Sequence, residues 1–230
     1  MSELVLAVNR AELFKQGIHD SGLCSFDLHA VNQINYALLP RDFADNKSPE
    51  ALVLGNIFAQ ILSYVVVKNE KGQILTYQRK GKEKGLLGKW SIGVGGHISQ
   101  QDFFTIINET HSDFPALMDL IMRGTERELE EELGIDVQYC SEMFNTSEDF
   151  AEAIKYCLSS YDDSTSSVHV GLPFIIEVKQ SDITFDPKEF NNLQWLDPKE
   201  LVYSHKQKTR EYETWSRILI KNFNKFTAEG

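Results

Sequence analysis

Cysteine is scarce in this chain: Cys24, Cys140 and Cys157 are the only three in 230 residues. They are scattered, without metal or redox spacing, and an odd, sparse set suggests reduced thiols in the cytosol. No apolar run is long enough to span a bilayer. The Met1–Val8 start has a short apolar run and no basic segment before it, so no signal peptide is expected and the expected location is cytoplasmic. Basic residues are in deficit, with 23 Lys and Arg against 34 Asp and Glu, and the net charge of −11 argues against general nucleic-acid binding. It leaves room for a small phosphorylated partner, because a metal ion and a local basic patch can supply positive charge. The six histidines show no metal-ligand spacing. Gly93-Val94-Gly95-Gly96 lacks the third glycine of a dinucleotide fingerprint. Gly88-Lys89 runs into Trp90, with Glu at position 83, so it is not a phosphate-binding P-loop. No nucleophile elbow is present.

What is there is carboxylate. Four glutamates fall within five positions in Glu128-Leu129-Glu130-Glu131-Glu132, next to Arg127. A helix advances about 100° per residue. Met118, Met122, Thr125, Leu129 and Leu133 then form one buried stripe, and Glu128, Glu131 and Glu132, related as i, i+3 and i+4, share a narrow arc beside it. Glu130 points elsewhere, to solvent. Arg127 lies four residues before Glu131, within reach of a charge-assisted hydrogen bond, and Gly134 follows the stripe as a C-terminal cap should. Crowded carboxylates are unfavourable unless neutralised, and a divalent cation that neutralises them usually handles phosphate. A solvated acidic helix face is the plainer alternative. A basic segment, Arg79, Lys80, Lys82, Lys84 and Lys89, precedes the glycines and reads either as phosphate contact or as a solvated loop. His97 reads either as a substrate contact or as a hydrogen-bonded structural histidine.

At 230 residues and 42% apolar content the chain is expected to form one domain with an appendage. Leu4–Val8 reads as a strand and Arg10–Gln16 as a helix. Phe58–Lys68 and Gln73–Arg79 read as a β-hairpin, and Trp90–Ile98 as a glycine-rich strand and turn. The segment 99–116 carries Phe103, Phe104, Ile106 and Ile107, which predict a packed rather than a loose segment. Ser112 or Asp113 is expected to cap the glutamate helix, with Pro115 in its first turn. Val137–Met143, Ile154–Tyr161 and Val168–Val178 read as strands, the last two joined by a polar turn, Asp162–Ser167. Trp195-Leu196-Asp197-Pro198 is expected to open a short helix. A single amphipathic helix is expected over Arg210–Phe226, burying Trp215, Ile218, Leu219 and Phe223.

Arg127-Glu128-Leu129-Glu130-Glu131-Glu132-Leu133-Gly134-Ile135 matches the second half of the Nudix box, Arg-Glu-apolar-any-Glu-Glu-any-Gly-apolar. Trp90–Ile98 resembles the strand and turn that open that box, and Gln194–Leu201 a segment that often closes the fold. The resemblance covers about Phe58 to Pro198. It implies an α/β chain with the Nudix fold, a mixed β-sheet in an α/β/α sandwich. Residues 1–55 would be an N-terminal extension packed on a hydrolase domain of residues 56–230, with an insertion at about 99–116. It implies metal-dependent hydrolysis of a diphosphate linkage in a nucleoside diphosphate derivative or related phosphorylated compound, using Mg²⁺ or Mn²⁺. Carried over by position, Glu128, Glu131 and Glu132 would be the metal-ligand set, with the Gly96 carbonyl close to the metal. One of these glutamates, or a residue on a later loop, would deprotonate the attacking water, and Arg127 would orient the glutamates. Arg79, Lys82, Lys89 and His97 would meet the substrate. The implied partner is a small phosphorylated molecule, with no nucleic acid and no membrane; a homodimer is the family's usual assembly.

The chain departs from the pattern in two ways. The box places a glutamate six residues after its glycine and eight before its arginine; here the first count gives Asp102 and the second Asp119, because 17 extra residues separate Gly96 from Arg127. For a further base on a later loop, Glu189, Asp162 and Asp163 are equal candidates. A looser likeness links Arg79–Ile98, the Asp-Asp-Ser turn before His169-Val170-Gly171 and the Trp215-Ser216-Arg217 helix to bacterial Nudix proteins described as predicted phosphoesterases. Two other functions compete. A non-catalytic nucleotide sensor has no need of the full glutamate set. A prenyl diphosphate isomerase would want a cysteine near Gly95-Gly96, and none lies there in sequence.

Overall fold

The computed structural model describes residues 3–18, 21–27, 35–54, 57–80, 85–111, 114–136, 144, 147–185, 187–188 and 190–228. Its centre is β4 (Phe58–Asn69), a twelve-residue strand whose successive side chains alternate between two cores. Ile61, Val65 and Val67 pack with Leu120, Ile121, Leu129 and Leu133. Leu62, Tyr64 and Val66 pack with Trp215, Leu219 and Phe223 on the opposite face. Helices therefore cover both faces of one sheet, an α/β/α sandwich.

β4 pairs in parallel with β9 (His169–Val178) from Gln60↔His169 to Asn69↔Val178. The other strand-to-strand pairings among the described residues are antiparallel, so the sheet is mixed. Outward from β4, one side holds β5 (Ile74–Arg79) and β10 (Phe190–Leu196); the other holds β9, β8 (Tyr156–Ser159) and β2 (Gly22–Ser25). β1 (Leu4–Asn9) pairs with β3 (Tyr36–Pro40) and with the start of β4, so this N-terminal strand is hydrogen-bonded into the sheet. The expected hairpin is present, and Asn69 shapes its turn: its side-chain oxygen accepts from Lys71 N at 3.0 Å and Gln73 N at 2.9 Å, while Gly72 adopts φ +76°. β6 (Trp90–Ser91) and β7 (Gly93–Val94) add to β5 and β4 and deliver the chain to the Gly95-Gly96 turn. Among the described residues no helix is long and apolar enough to cross a membrane.

Several local expectations need correction. The glutamate helix, α5 (Leu117–Leu133), begins after Ala116, which makes no side-chain cap. Pro115 thus precedes the helix rather than filling its first turn, and its carbonyl accepts from Tyr36 Oη at 2.6 Å. Ser112 and Asp113 lie outside the described residues, as do the expected strand Val137–Met143 and Cys140. Before it, α4 (Gln100–Thr110) is opened by a Ser99/Asp102 capping box. Its inner face carries Asp102 and Ile106, with Phe103 packed at the edge; Phe104, on the far side of the turn, is exposed. The C-terminal helix is two helices, α8 (Thr214–Lys221) and α9 (Phe223–Ala228). Arg210–Glu213 is drawn instead to the sheet edge, where Trp90 N donates to Glu211 O and Glu213 N to Trp90 O. The Glu213 carboxylate then starts α8 by accepting from Trp215 N and Ser216 N. The remaining helices, α1 (Arg10–Lys15), α2 (Arg41–Ala44), α3 (Pro49–Leu54), α6 (Ser147–Ala153) and α7 (Pro198–Lys206), are short.

Candidate functional site

The site is built on the middle of α5. Met118, Thr125, Leu129 and Leu133 are buried, Met122 packs at the core edge, and Gly134 at φ +61° ends the helix by donating to Glu130 O at 2.9 Å. That orientation leaves Glu130 exposed and turns Arg127, Glu128, Glu131 and Glu132 toward the glycine turn.

Arg127 uses all five of its N–H donors. Nε and Nη2 grip Asp102 at 2.8 and 3.1 Å; Nη1 reaches Glu128 at 2.7 Å and Glu131 at 3.4 Å; Nη2 also donates to the His97 carbonyl at 2.7 Å. Burial alone would lower the Arg127 pKa, but the hydrogen bond to Asp102 and the charge of Glu128 outweigh it and raise it. Asp102, only 1% exposed, also accepts from Ser99 N at 2.7 Å. Of the two aspartates that counting gives, Asp102 meets Arg127, while Asp119 stands in the first turn of α5. The spacing from Gly96 to Asp102 is the standard one, so the extra residues fall after Asp102, in the rest of α4 and the link to α5.

Two glycines let the turn approach its neighbours. A Cβ at Gly95 would overlap the Ser63 carbonyl, and a Cβ at Gly96 would overlap the Glu128 carboxylate. Burial raises the Glu128 pKa; Arg127 opposes this, and the charges of Glu131 and Asp102 add to it. Gly95→Ala, which would set a Cβ against the Ser63 backbone carbonyl, is expected to destabilise the fold by about 1–3 kcal/mol through overpacking, with a matching drop in urea midpoint. An unchanged midpoint would show that the turn does not lie against the β4 backbone.

A cavity of about 510 Å³ opens over this surface. Gly96, His97, Glu128, Glu131, Glu132 and Arg79 all line it, so the structure brings most of the expected site residues together. Lys89 is elsewhere, lining a second depression with Lys206, Arg210 and Lys225. Lys82 and Glu189 lie outside the described residues. Among the described residues that line the cavity, six carboxylates (Glu3, Glu128, Glu131, Glu132, Asp163 and Glu213) face two guanidiniums (Arg41 and Arg79), an acidic balance that a cation would offset.

Asp162 is exposed. Asp163 is engaged: Oδ1 accepts from Thr165 N at 3.0 Å and Ser166 N at 2.8 Å, and Oδ2 from Thr214 Oγ1 at 2.7 Å. Burial pushes its pKa up, but the hydrogen bonds from Ser166, Thr214 and Thr165 prevail and hold it below the usual aspartate value. A depressed folded pKa contributes stability that is complete above the unfolded pKa and is lost as pH falls through the folded one. Asp163→Asn should therefore cost about 1–3 kcal/mol at neutral pH, and the gap to the parent should close at acid pH below the ordinary aspartate range. Urea melts across pH test this; a gap independent of pH would contradict it.

The sequence reading missed one cluster. His97 Nε2 faces His169 Nε2 at 3.2 Å, and His169 Nδ1 donates to the Thr165 carbonyl at 2.7 Å. Burial, then the charges of His169 and Arg41, hold the His97 pKa well below its ordinary value. Asp45 stands beside the pair. The three residues can offer ligand atoms within 4.8 Å of one another, a set able to hold a divalent cation. His169 stood in a quoted motif, His169-Val170-Gly171, but nothing local marked Asp45.

No protein-family profile and no curated protein sequence matches the chain. Solved structures do. The chain is similar to Tm1382, a candidate Nudix hydrolase, at 18% identity, over 96% of this chain and 98% of that one, with a TM-score of 0.67. DR0079 from Deinococcus radiodurans (14% identity, 71% of this chain and 82% of that one, TM-score 0.46) overlaps less well. So does a Nudix hydrolase from Alicyclobacillus acidocaldarius (10% identity, 71% and 90%, TM-score 0.47). The near-complete overlap with Tm1382, together with the mixed sheet between helices, defines the class: this chain has the Nudix fold.

Proposed function

We propose that the chain is a divalent-metal-dependent hydrolase of a diphosphate linkage, in a nucleoside diphosphate derivative or a related phosphorylated compound. The observation that carries the reading is the convergence of Glu128, Glu131, Glu132 and Gly96 on one cavity, with Arg127 locked behind them by Asp102. The donor set fits a hard cation: carboxylates and a backbone carbonyl, all oxygen, as Mg²⁺ and Mn²⁺ prefer. Glu128 fits it too, being a buried carboxylate with a second one beside it and a raised pKa, which a cation would relieve.

When bound there, Mg²⁺ or Mn²⁺ would supply Lewis acidity, polarising a phosphoryl oxygen and lowering the pKa of attacking water. The protein's own residues do the rest. Gly96, lacking a side chain, lets the turn lie against Glu128. Arg127 fixes the rotamers of Glu128 and Glu131, and Asp102 fixes Arg127. Glu131, 59% exposed and held by the longest Arg127 contact, takes the proton of the incoming water. Arg79 and His97 face the phosphorylated substrate from the cavity wall. Residues 1–55 act as an extension of the hydrolase unit at 56–230, and Glu3 and Arg41 bring that extension to the cavity. Among the described residues neither Cys24 nor Cys157 lines the cavity, so neither supplies the cysteine that the isomerase reading would want.

The test is turnover of a broad panel of nucleoside diphosphate derivatives with Mg²⁺, with Mn²⁺ and with chelator. Hydrolysis of at least one compound, only with metal, is expected. Tight nucleotide binding without turnover under either metal would replace the enzyme by a sensor.

A further inference from the structure

We propose that Asp45, His97 and His169 form a second metal site, separate from the glutamate set, that takes a borderline divalent ion of the zinc class. The inference goes beyond the proposed hydrolysis and does not depend on it. Its donors are two imidazole nitrogens and one carboxylate oxygen. That is the chemistry of zinc, iron and nickel sites, whereas the glutamates and Gly96 offer oxygen alone.

Geometry supports the assignment. Two nitrogens bound to a tetrahedral ion at about 2.0–2.1 Å lie about 3.3 Å apart; the two Nε2 atoms stand 3.2 Å apart. The His169 ring is oriented for the task, because its Nδ1 donates to the Thr165 carbonyl and leaves Nε2 as the lone-pair atom facing His97. Asp45 is oriented as well. Gln60, fully buried and the register neighbour of His169 on the adjacent strand, donates from its side-chain amide to Asp45 Oδ1 at 2.8 Å. The other end of that amide, Oε1, is buried and without a hydrogen-bond partner among the described residues. Asp45 Oδ2 is held by Lys47 at 2.6 Å, a side chain 71% exposed that can swing to solvent when a cation arrives. The ligands come from three distant stretches: the end of α2, the glycine turn and the start of β9. An ion would pin the N-terminal segment to the turn that carries Gly96. Three protein ligands leave one position for water, and two of them, His97 and His169, line the cavity.

The test reads binding, not turnover. Chelator-stripped protein in excess Mg²⁺, which occupies the glutamates, is titrated with Zn²⁺ by calorimetry and with Co²⁺ by visible absorption. One ion per chain is expected, with the intense bands of four-coordinate Co²⁺. Asp45→Asn and His169→Gln should each weaken binding by more than about 100-fold, since loss of an outer-shell partner alone costs about 10- to 100-fold; Glu131→Gln should leave it unchanged. If His169→Gln does not fold, Asp45→Asn and the parent's Co²⁺ spectrum decide. No Zn²⁺ or Co²⁺ binding in excess Mg²⁺ would overturn the proposal and leave a hydrogen-bonded histidine pair. Binding that survives Asp45→Asn but is lost in Glu131→Gln would overturn it by placing the ion on the glutamates.

Discussion

Arg127→Met is expected to lower the unfolding free energy by about 3–5 kcal/mol, the cost of stranding a buried charge by removing its partner. Asp102 is only 1% exposed, and the guanidinium is its bidentate partner. Methionine keeps much of the arginine stem's packing and removes the charge. Asp102→Asn should cost less, because Arg127 keeps Glu128, Glu131 and the His97 carbonyl. The double variant should then be more stable than the sum of the two single losses implies, since the pair acts as a unit. Urea unfolding of the four proteins measures this. A loss below about 1 kcal/mol for Arg127→Met, the level of an exposed ion pair, would mean that Asp102 is reached by water.

Glu128→Gln should cut kcat by about 1,000-fold, a rise of about 4 kcal/mol in activation free energy and within the several kcal/mol that a bound cation contributes to transition-state charge. Glutamine keeps the length and one oxygen but loses the charge that would hold the ion. Its effect on folding should be small, because two terms oppose. Relief from Glu131 on the same helix face is worth about 0.2–0.5 kcal/mol, while the charge-assisted bond from Arg127 is weakened. Glu131→Gln should also cripple turnover, yet leave metal-free stability within about 0.5 kcal/mol, because Glu131 is exposed and its Arg127 contact is long, 3.4 Å. With metal present the parent should gain melting temperature, and both variants should gain less. Parent-like activity in both variants would remove the glutamates from the mechanism.

These effects follow from features of unequal legibility. The α5 stripe and its glycine stop were readable because helical periodicity and the cap are local, and Glu130 fell outside the arc on the same count. The hairpin and β9 were readable from apolar runs bounded by turn residues. Asp102 was not, because counting from either end of an interrupted motif gives a different aspartate; only the fold of the 99–116 segment brings one of them under Arg127. Phe104 misled because composition was read without phase: four apolar residues cannot share one face when one lies on the far side of the turn. The break before Thr214 was hidden because Glu213 looks like any helical glutamate until its carboxylate is seen capping Trp215 and Ser216. Asp45 and His169 belong to segments far apart in sequence, joined through the pairing of Gln60 with His169 and the bond from Gln60 to Asp45.

The central claim is that carboxylates gathered at Gly96 use a divalent cation to direct water at a diphosphate. The most direct measurement is hydrolysis of a reactive panel compound in ¹⁸O-labelled water, with the products weighed by mass spectrometry. The account predicts one label in one phosphorylated product with Mg²⁺ or Mn²⁺, and none with chelator or in Glu128→Gln. Cleavage that persists in chelator, or label incorporated equally by Glu128→Gln, would contradict it.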